Sequence, residues 1–262
     1  MIARVASVER HGVYIRMSVE APEIARAAQP GQFAMLRVAD TSSTDPLLRR
    51  PLSLHDRNAS EVEFFFSVAG RGTDILAGKK PGDRLDVLGP LGRGFALDEN
   101  MTGRTACCVG GGRGIAPLYF LARELKARGA SVHILYGGRS AADVPLREKF
   151  EAAGYQTFVS TDDGSFGFHG LVTDLFEKQA AAERPDRLYA CGPDAMMKTL
   201  AASAARLGIP AWFSLESVMG CGFGACWGCV HRILRDGTPE WVKVCEDGPV
   251  FAGPDIVWET GP

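Results

Sequence analysis

Up to about Asp98 the chain alternates apolar and polar positions in short runs. Val13, Ile15, Met17 and Val19 fall on one side, with Tyr14, Arg16 and Ser18 between them, the two-residue period of a half-buried strand. Residues 33–38, 62–68 and 84–88 repeat the pattern, set off by the turns Gln29-Pro30-Gly31-Gln32 and Pro81-Gly82-Asp83. Several short strands with no helix longer than a few turns predict a small antiparallel barrel. From Thr105 the pattern becomes strand, helix, strand, helix. Residues 105–109, 131–136, 156–160 and 187–190 read as short strands, and Cys107 and Cys108 as small core residues. Ile115, Leu118, Ala122 and Leu125 share one face of a helix that Gly129 closes, and a second helix runs over 194–207 with Asp194 as N-cap. This alternation predicts a parallel α/β sheet, with ligands at the strands' carboxyl ends. The expected fold is therefore multidomain β plus α/β: an antiparallel β-barrel over 1–100, a parallel α/β nucleotide-binding domain over 101–212, and a small cysteine-bearing domain over 213–262.

Charge adds mostly exclusions. The formal net charge is −2 and no block of like sign stands out, so no basic field invites nucleic acid or an anionic membrane. Arg4, Glu9 and Arg10 interrupt the start, so no leader peptide is expected. The most apolar stretch, 105–122, is broken by glycines and Arg113 and is no membrane span. The expectation is a soluble, cytoplasmic protein whose thiols stay reduced and free to hold metal.

The cysteines change the picture most. Four of seven crowd into the tail, with Cys221, Cys226 and Cys229 in the order C-x4-C-x2-C and Cys245 after fifteen intervening residues. Clustered thiolates are soft ligands for zinc, copper(I) or iron–sulfur clusters. Structural zinc sites usually use two short C-x2-C knuckles, whereas this spacing is the plant-type [2Fe–2S] pattern. The glycine-rich run Met219-Gly220-Cys221-Gly222-Phe223-Gly224 lets backbone approach sulfur and aim N–H groups at it. A zinc ribbon and unligated thiols are the competing readings, and spacing and glycine content disfavour both.

Further chemistry lies in the first two thirds. In Arg49-Arg50-Pro51-Leu52-Ser53-Leu54 a double arginine precedes a strand-like run. An arginine fork fits a diphosphate and a nearby hydroxyl fits a ring nitrogen; an edge strand opened by Pro51 is the bland alternative. Gly70-Arg71-Gly72-Thr73 is an anion seat or an ordinary strand-to-helix turn. Gly110-Gly111-Gly112-Arg113-Gly114-Ile115-Ala116-Pro117 follows a strand and opens a helix, in the form G-x-G-x-x-P. That points to a variant dinucleotide site rather than the usual G-x-G-x-x-G. Cys191-Gly192-Pro193 sits at another strand end.

Together these residues resemble the ferredoxin–NADP reductase superfamily. Arg50-Pro51-Leu52-Ser53 is similar to its R-x-Y-S flavin motif, Gly112 to Pro117 to its G-x-G-x-x-P, and Cys191-Gly192-Pro193 to its C-G-P. Leu52 replaces the common tyrosine, and Arg113 stands where the family usually has an apolar residue. Ser214-Leu215-Glu216 leading into Met219-Gly220-Cys221-Gly222 resembles the electron-transfer subunits of NAD-linked, two-subunit dihydroorotate dehydrogenases. Arg49-Arg50-Pro51, Gly89-Pro90-Leu91-Gly92, Asp162-Asp163-Gly164-Ser165 and the run from Cys245 through Asp247-Gly248-Pro249-Val250-Phe251 carry the same likeness.

The resemblance implies a barrel that holds FAD, with Arg50 at the pyrophosphate, Ser53 near the isoalloxazine N5, and Pro51, Leu52, Phe66, Ser67, Val68, Gly72 and Thr73 along the rest. It implies NAD(H) at Gly110, Gly111, Gly112, Gly114, Pro117, Cys191, Gly192 and Pro193, and a [2Fe–2S] cluster on Cys221, Cys226, Cys229 and Cys245. The implied partner is an FMN-containing catalytic subunit that oxidises dihydroorotate to orotate in pyrimidine synthesis, paired with this chain as a heterotetramer. Nicotinamide passes two electrons at once and an iron–sulfur cluster one, so a flavin belongs between them; no side chain need act as acid or base. A reductase component serving an oxygenase or hydrogenase-type acceptor has nearly the same residues, and a redox sensor is a third reading. Arg139-Ser140 suits a 2′-phosphate, but Asp143 close by opposes it and the resemblance favours NAD. The apolar tail (Val250, Phe251, Ile256, Trp258) is either a docking contact or core.

Overall fold

In the computed structural model, which describes residues 1–39 and 43–258, the alternating first third closes on itself. Strands β1 (Ile2–His11), β2 (Tyr14–Glu20), β3 (Phe33–Arg37), β4 (Arg50–Arg57), β5 (Glu61–Ser67) and β6 (Arg84–Leu91) form a closed barrel in the order β1-β2-β5-β4-β3-β6. Every neighbouring pair is antiparallel, and closure leaves no edge to aggregate. Ile15, Met17 and Val19 point into the barrel with no exposure, as the alternation requires. Val13 departs from it: at the tip of the β1–β2 hairpin it has no opposing strand and is 57% exposed. Tyr14, on the outer face, is nevertheless buried, stacked on Phe65 with ring centroids 5.4 Å apart. Two short helices interrupt the strands, α1 (Pro22–Ala27) and α2 (Arg71–Ala77). α1 is too short for a helical period to show in the sequence, and it buries only Ile24 and Ala25.

The middle of the chain builds the predicted parallel α/β sheet. Strands β7 (Thr105–Gly111), β8 (Ser131–Gly138), β9 (Gln156–Thr161), β10 (Phe168–His169), β11 (Arg187–Cys191) and β12 (Ala211–Ser214) lie parallel. They are linked by α3 (Ala116–Ala127), α4 (Arg147–Ala152), α5 (Val172–Ala182) and α6 (Asp194–Leu207). Asp194 does not cap α6. Pro193 holds the cap position without a side-chain bond, and Asp194 falls in the first turn, where its charge meets the positive end of the helix dipole.

The cysteine segment is not a free appendage. After the hairpin β13 (Val230–Arg235) and β14 (Thr238–Lys243) and the one-turn α7 (Val244–Asp247), β15 (Val250–Ala252) pairs antiparallel with β12 and completes the order β10-β9-β8-β7-β11-β12-β15. Phe251 and Ile256 are buried, and Trp258 meets Phe213 edge-on with centroids 5.6 Å apart. Of the two readings of this tail, the structure supports core. Phe213 has no exposure and joins the sheet to the cysteine segment in one cluster. Phe213→Ala should lower the unfolding free energy by about 3–5 kcal/mol through lost burial and a cavity, checked by urea denaturation. Among the described residues, no helix is long and apolar enough to cross a membrane.

Barrel and sheet are joined by a buried histidine. His55 of β4 donates from Nδ1 to the Ala116 carbonyl, at 2.7 Å, at the start of α3. Burial first, then the Lys149 charge, hold its pKa well below the ordinary value, so the ring is neutral. Its Nε2 lies 3.5 Å from Glu63, which is no ion pair with a neutral ring, and Glu63 is already paired with Lys149. With the folded pKa depressed, the unfolded chain binds the extra proton below about pH 6.5, so stability is present above that pH and falls as pH drops, by up to about 1.4 kcal/mol per unit. Urea denaturation between pH 7 and 5 should show that slope, and His55→Gln should flatten it.

Candidate functional site

Two cavities and one group of thiols meet where barrel, sheet and cysteine segment converge. The first cavity, about 460 Å³, lies against β4 and β5 and is lined by Arg50, Pro51, Leu52, Ser53, Phe66, Ser67 and Thr73. The two arginines of the motif divide. Arg49 is committed to β6, its Nη2 donating to Asp86 Oδ2 at 2.6 Å, while Arg50 reaches the cavity with Nη1 anchored on the Leu48 carbonyl at 2.6 Å. The Arg50 guanidinium rests on Gly72, where an added Cβ would come within 2.3 Å of Nε. Gly72 thus serves by being small rather than by lining the cavity. Thr73 is partly spent locally, its Oγ1 accepting from Ala69 N–H at 2.9 Å.

The opposite wall of this cavity is the segment Ser214 to Met219, which runs straight on to Cys221. Two residues of chain span about 7 Å at most, so a group filling the cavity is a short step from the first thiol. Cys191 also lines this cavity. Burial first, then the Glu216 charge, push its thiol well above the ordinary range. It is therefore a neutral, uncharged wall and no nucleophile.

The second cavity, about 740 Å³, sits at the carboxyl ends of β7, β8 and β11, and Gly111, Gly112, Gly192, Pro193 and Val68 line it. Gly110, Gly114 and Pro117 do not; they shape it from behind. At Gly114 a Cβ would lie 2.3 Å from the Cys191 carbonyl oxygen, so only glycine lets the loop press against the C-G-P segment. Pro117 is buried in the first turn of α3, where its missing N–H costs no bond.

Sequence reasoning missed Tyr14, Thr173, Met196 and Thr199 in this lining. Tyr14 reads as an outward strand residue, and only the docking of barrel on sheet brings it here. Its hydroxyl donates to Asp143 Oδ1 at 3.1 Å, and burial, then Asp143, raise its pKa to about 12. Asp143 in turn accepts from Ser140 N–H at 3.2 Å, so a fixed carboxylate stands beside Arg139 in the cavity wall.

The thiols sit in two pairs. Cys221 lies beside Cys226, and Cys229 beside Cys245, whose N–H donates to Cys229 Sγ at 3.4 Å, and all seven cysteines are free of disulfides. Among the described residues, no three His, Cys, Asp or Glu side chains converge on one ion. A mononuclear zinc needs its ligands around one point; a two-iron cluster takes two thiolates at each iron. The observed pairs fit the second. Gly224, at φ +86°, turns its N–H onto Cys245 Sγ at 3.1 Å, a conformation L side chains resist. For Cys221, burial acts upward, but the N–H groups of Phe223, Cys226 and Ala225 and the Cys226 thiol outweigh it and bring the thiol down to about 6. Burial and the Cys229 thiol push Cys245 up to about 12.

Known proteins decide the family. Residues 216–257 match the model of the iron-sulfur cluster binding domain of dihydroorotate dehydrogenase B, and residues 108–202 that of the oxidoreductase NAD-binding domain. The dihydroorotate dehydrogenase B (NAD(+)) electron transfer subunit of Geobacillus thermodenitrificans is 45% identical over 236 residues, 89% of each chain. The chain belongs to this family. The corresponding subunit of Desulforamulus reducens is 40% identical over 245 residues, covering 93% of this chain and 92% of its own. Among solved structures, an NADH-dependent reduced ferredoxin-NADP oxidoreductase studied for flavin-based electron bifurcation superposes with a TM-score of 0.85 at 30% identity, over 98% of this chain and 90% of that one. The family match thus covers the second cavity's glycine loop and C-G-P segment together with all four tail thiols.

Proposed function

We propose that this chain carries electrons between NAD(H) and an FMN-containing catalytic subunit that oxidises dihydroorotate to orotate, the two forming a heterotetramer. The carrying observation is that one cavity shares a wall with the nucleotide-type cleft on one side and with the thiol segment on the other. FAD in the first cavity, NAD(H) in the second and [2Fe–2S] on the thiols together convert a two-electron hydride into single electrons. In this reading residues 1–100 form the FAD module, 101–212 the NAD module and 213–262 the cluster module.

The residues supply binding and exclusion. Arg50 holds the FAD diphosphate, Ser53 and Ser67 offer hydroxyls to the ring, and Pro51, Leu52, Phe66, Val68, Gly72 and Thr73 shape its surroundings. Gly110, Gly111, Gly112, Gly114 and Pro117 let the dinucleotide backbone approach the start of α3, and Gly192 and Pro193 bound the nicotinamide end. The neutral Cys191 thiol positions without reacting. Asp143 disfavours a 2′-phosphate, which supports NAD over NADP. Cys221, Cys226, Cys229 and Cys245 hold the cluster in a cytoplasmic setting where thiols stay reduced.

An anaerobic NADH titration, followed by absorbance and EPR with and without a dihydroorotate dehydrogenase catalytic subunit, tests this. The expected result is flavin bleaching, a rhombic [2Fe–2S] signal, and dihydroorotate-dependent NAD⁺ reduction only with that subunit. Reduction of flavin and cluster without coupling to dihydroorotate would assign the same module to another acceptor.

A further inference from the structure

An ion pair that the fold does not need stands between the two cavities. Arg113 Nη2 lies 3.1 Å from Glu216 Oε2, with side chains 55% and 46% exposed. Both residues line both cavities, and among the described residues Ser67 alone shares that position. The backbones beneath them are fixed. Arg113 rides on the 3₁₀ turn Gly112–Ile115, pinned by the close approach of Gly114 to Cys191. Glu216 follows β12 by two residues, and Leu215 N–H donates to the Pro249 carbonyl at 2.9 Å. Two anchored backbones joined by two long, half-exposed side chains make a contact that can open without unfolding anything.

Charge says what would open it. An exposed pair is weakly held, because water and salt already solvate both ions. Arg113 sits on the glycine loop, the place where a diphosphate meets helix N–H groups. A diphosphate offers more charge than one carboxylate and suits a guanidinium fork. We propose that Arg113 and Glu216 form a gate between the nucleotide and flavin cavities. In the free chain they close the passage, and a dinucleotide opens it by drawing Arg113 off the Glu216 carboxylate and onto its diphosphate. The gate rests on the NAD(H) and FAD sites proposed above. It also gives Arg113 a task in nucleotide binding.

Exchange of partners predicts effects of opposite sign. Glu216→Gln removes the competing carboxylate and should tighten binding of NAD⁺ roughly 3- to 10-fold, whereas Arg113→Leu removes the diphosphate contact and should weaken it about 10-fold or more. The double variant should stay close to Arg113→Leu, since Glu216 acts through Arg113, and Arg113→Lys should recover part of the loss. The measurement is calorimetric titration of the FAD- and cluster-loaded protein with NAD⁺, ADP-ribose and adenosine, with cofactor content checked for each variant. NAD⁺ and ADP-ribose should respond alike, and adenosine, which lacks the diphosphate, should not respond. A merely structural pair would weaken binding in both single variants, and that result, or no change in either, overturns the gate. If the unsubstituted protein binds neither NAD⁺ nor ADP-ribose, the nucleotide site itself is wrong and the gate falls with it.

Discussion

Cys226→Ser should abolish the visible absorbance of the cluster and cut electron delivery to the catalytic subunit by more than roughly 100-fold, beyond the range for losing a mere neighbour of a ligand. NADH should still bleach the flavin. The reason is placement. Cys226 is exposed, lies beside Cys221 and lines neither cavity. The residues that line the two cavities are therefore unaltered, and electron transfer from NADH to the flavin should persist. Serine keeps the size of the side chain but offers an alcohol that stays protonated where iron wants a soft thiolate. Absorbance and EPR on the purified variant, with stopped-flow NADH oxidation, separate the two halves. Loss of flavin bleaching together with the cluster would place the cluster between NADH and flavin and overturn the proposed order. Persistence of a normal [2Fe–2S] spectrum would remove Cys226 from the ligand set.

Arg50→Ala should weaken FAD binding by roughly 10- to 100-fold, because a hydrogen bond to a charged group is worth about 1.5–3 kcal/mol and each 1.4 kcal/mol is tenfold. Of the two motif arginines, Arg50 is the one that lines this cavity, while Arg49 is bound to Asp86 and cannot replace it. The guanidinium is held by Leu48 and laid across Gly72, so it is preorganised and loses little freedom on binding a diphosphate. Flavin content after gel filtration and FAD titration of the apoprotein measure the effect. The cluster spectrum should be unchanged, since none of the four tail thiols lines this cavity. Unaltered FAD affinity would move the diphosphate elsewhere in the cavity. Gly72→Ala offers a second view of the same contact, since its methyl must displace the guanidinium.

Much of this molecule was legible without coordinates, because several of its constraints are local in sequence. A two-residue period in the first third and strand–helix alternation in the second each encode which face is buried, and both became the predicted sheets. The thiol spacing and its glycines encode a ligand loop, since sulfur donors and close backbone approach depend on residues a few positions apart. The chain itself therefore determined the barrel, the parallel sheet, and the thiolate, glycine-loop and C-G-P motifs. What it could not determine depends on elements far apart in sequence packing together. Tyr14 entered the nucleotide cleft because β4 and β5 of the barrel pack against α3 and the 3₁₀ turn before it, which no strand period records. Asp194 missed its cap because the backbone of the C-G-P turn set the helix start one residue earlier. The tail became core because β15 found the free edge of β12. The two-and-two arrangement of the thiols, the shared wall between the cavities and the Arg113–Glu216 pair across their junction also belong to tertiary structure. Each is a distance between groups, and spacing along a chain fixes such distances only when few residues intervene.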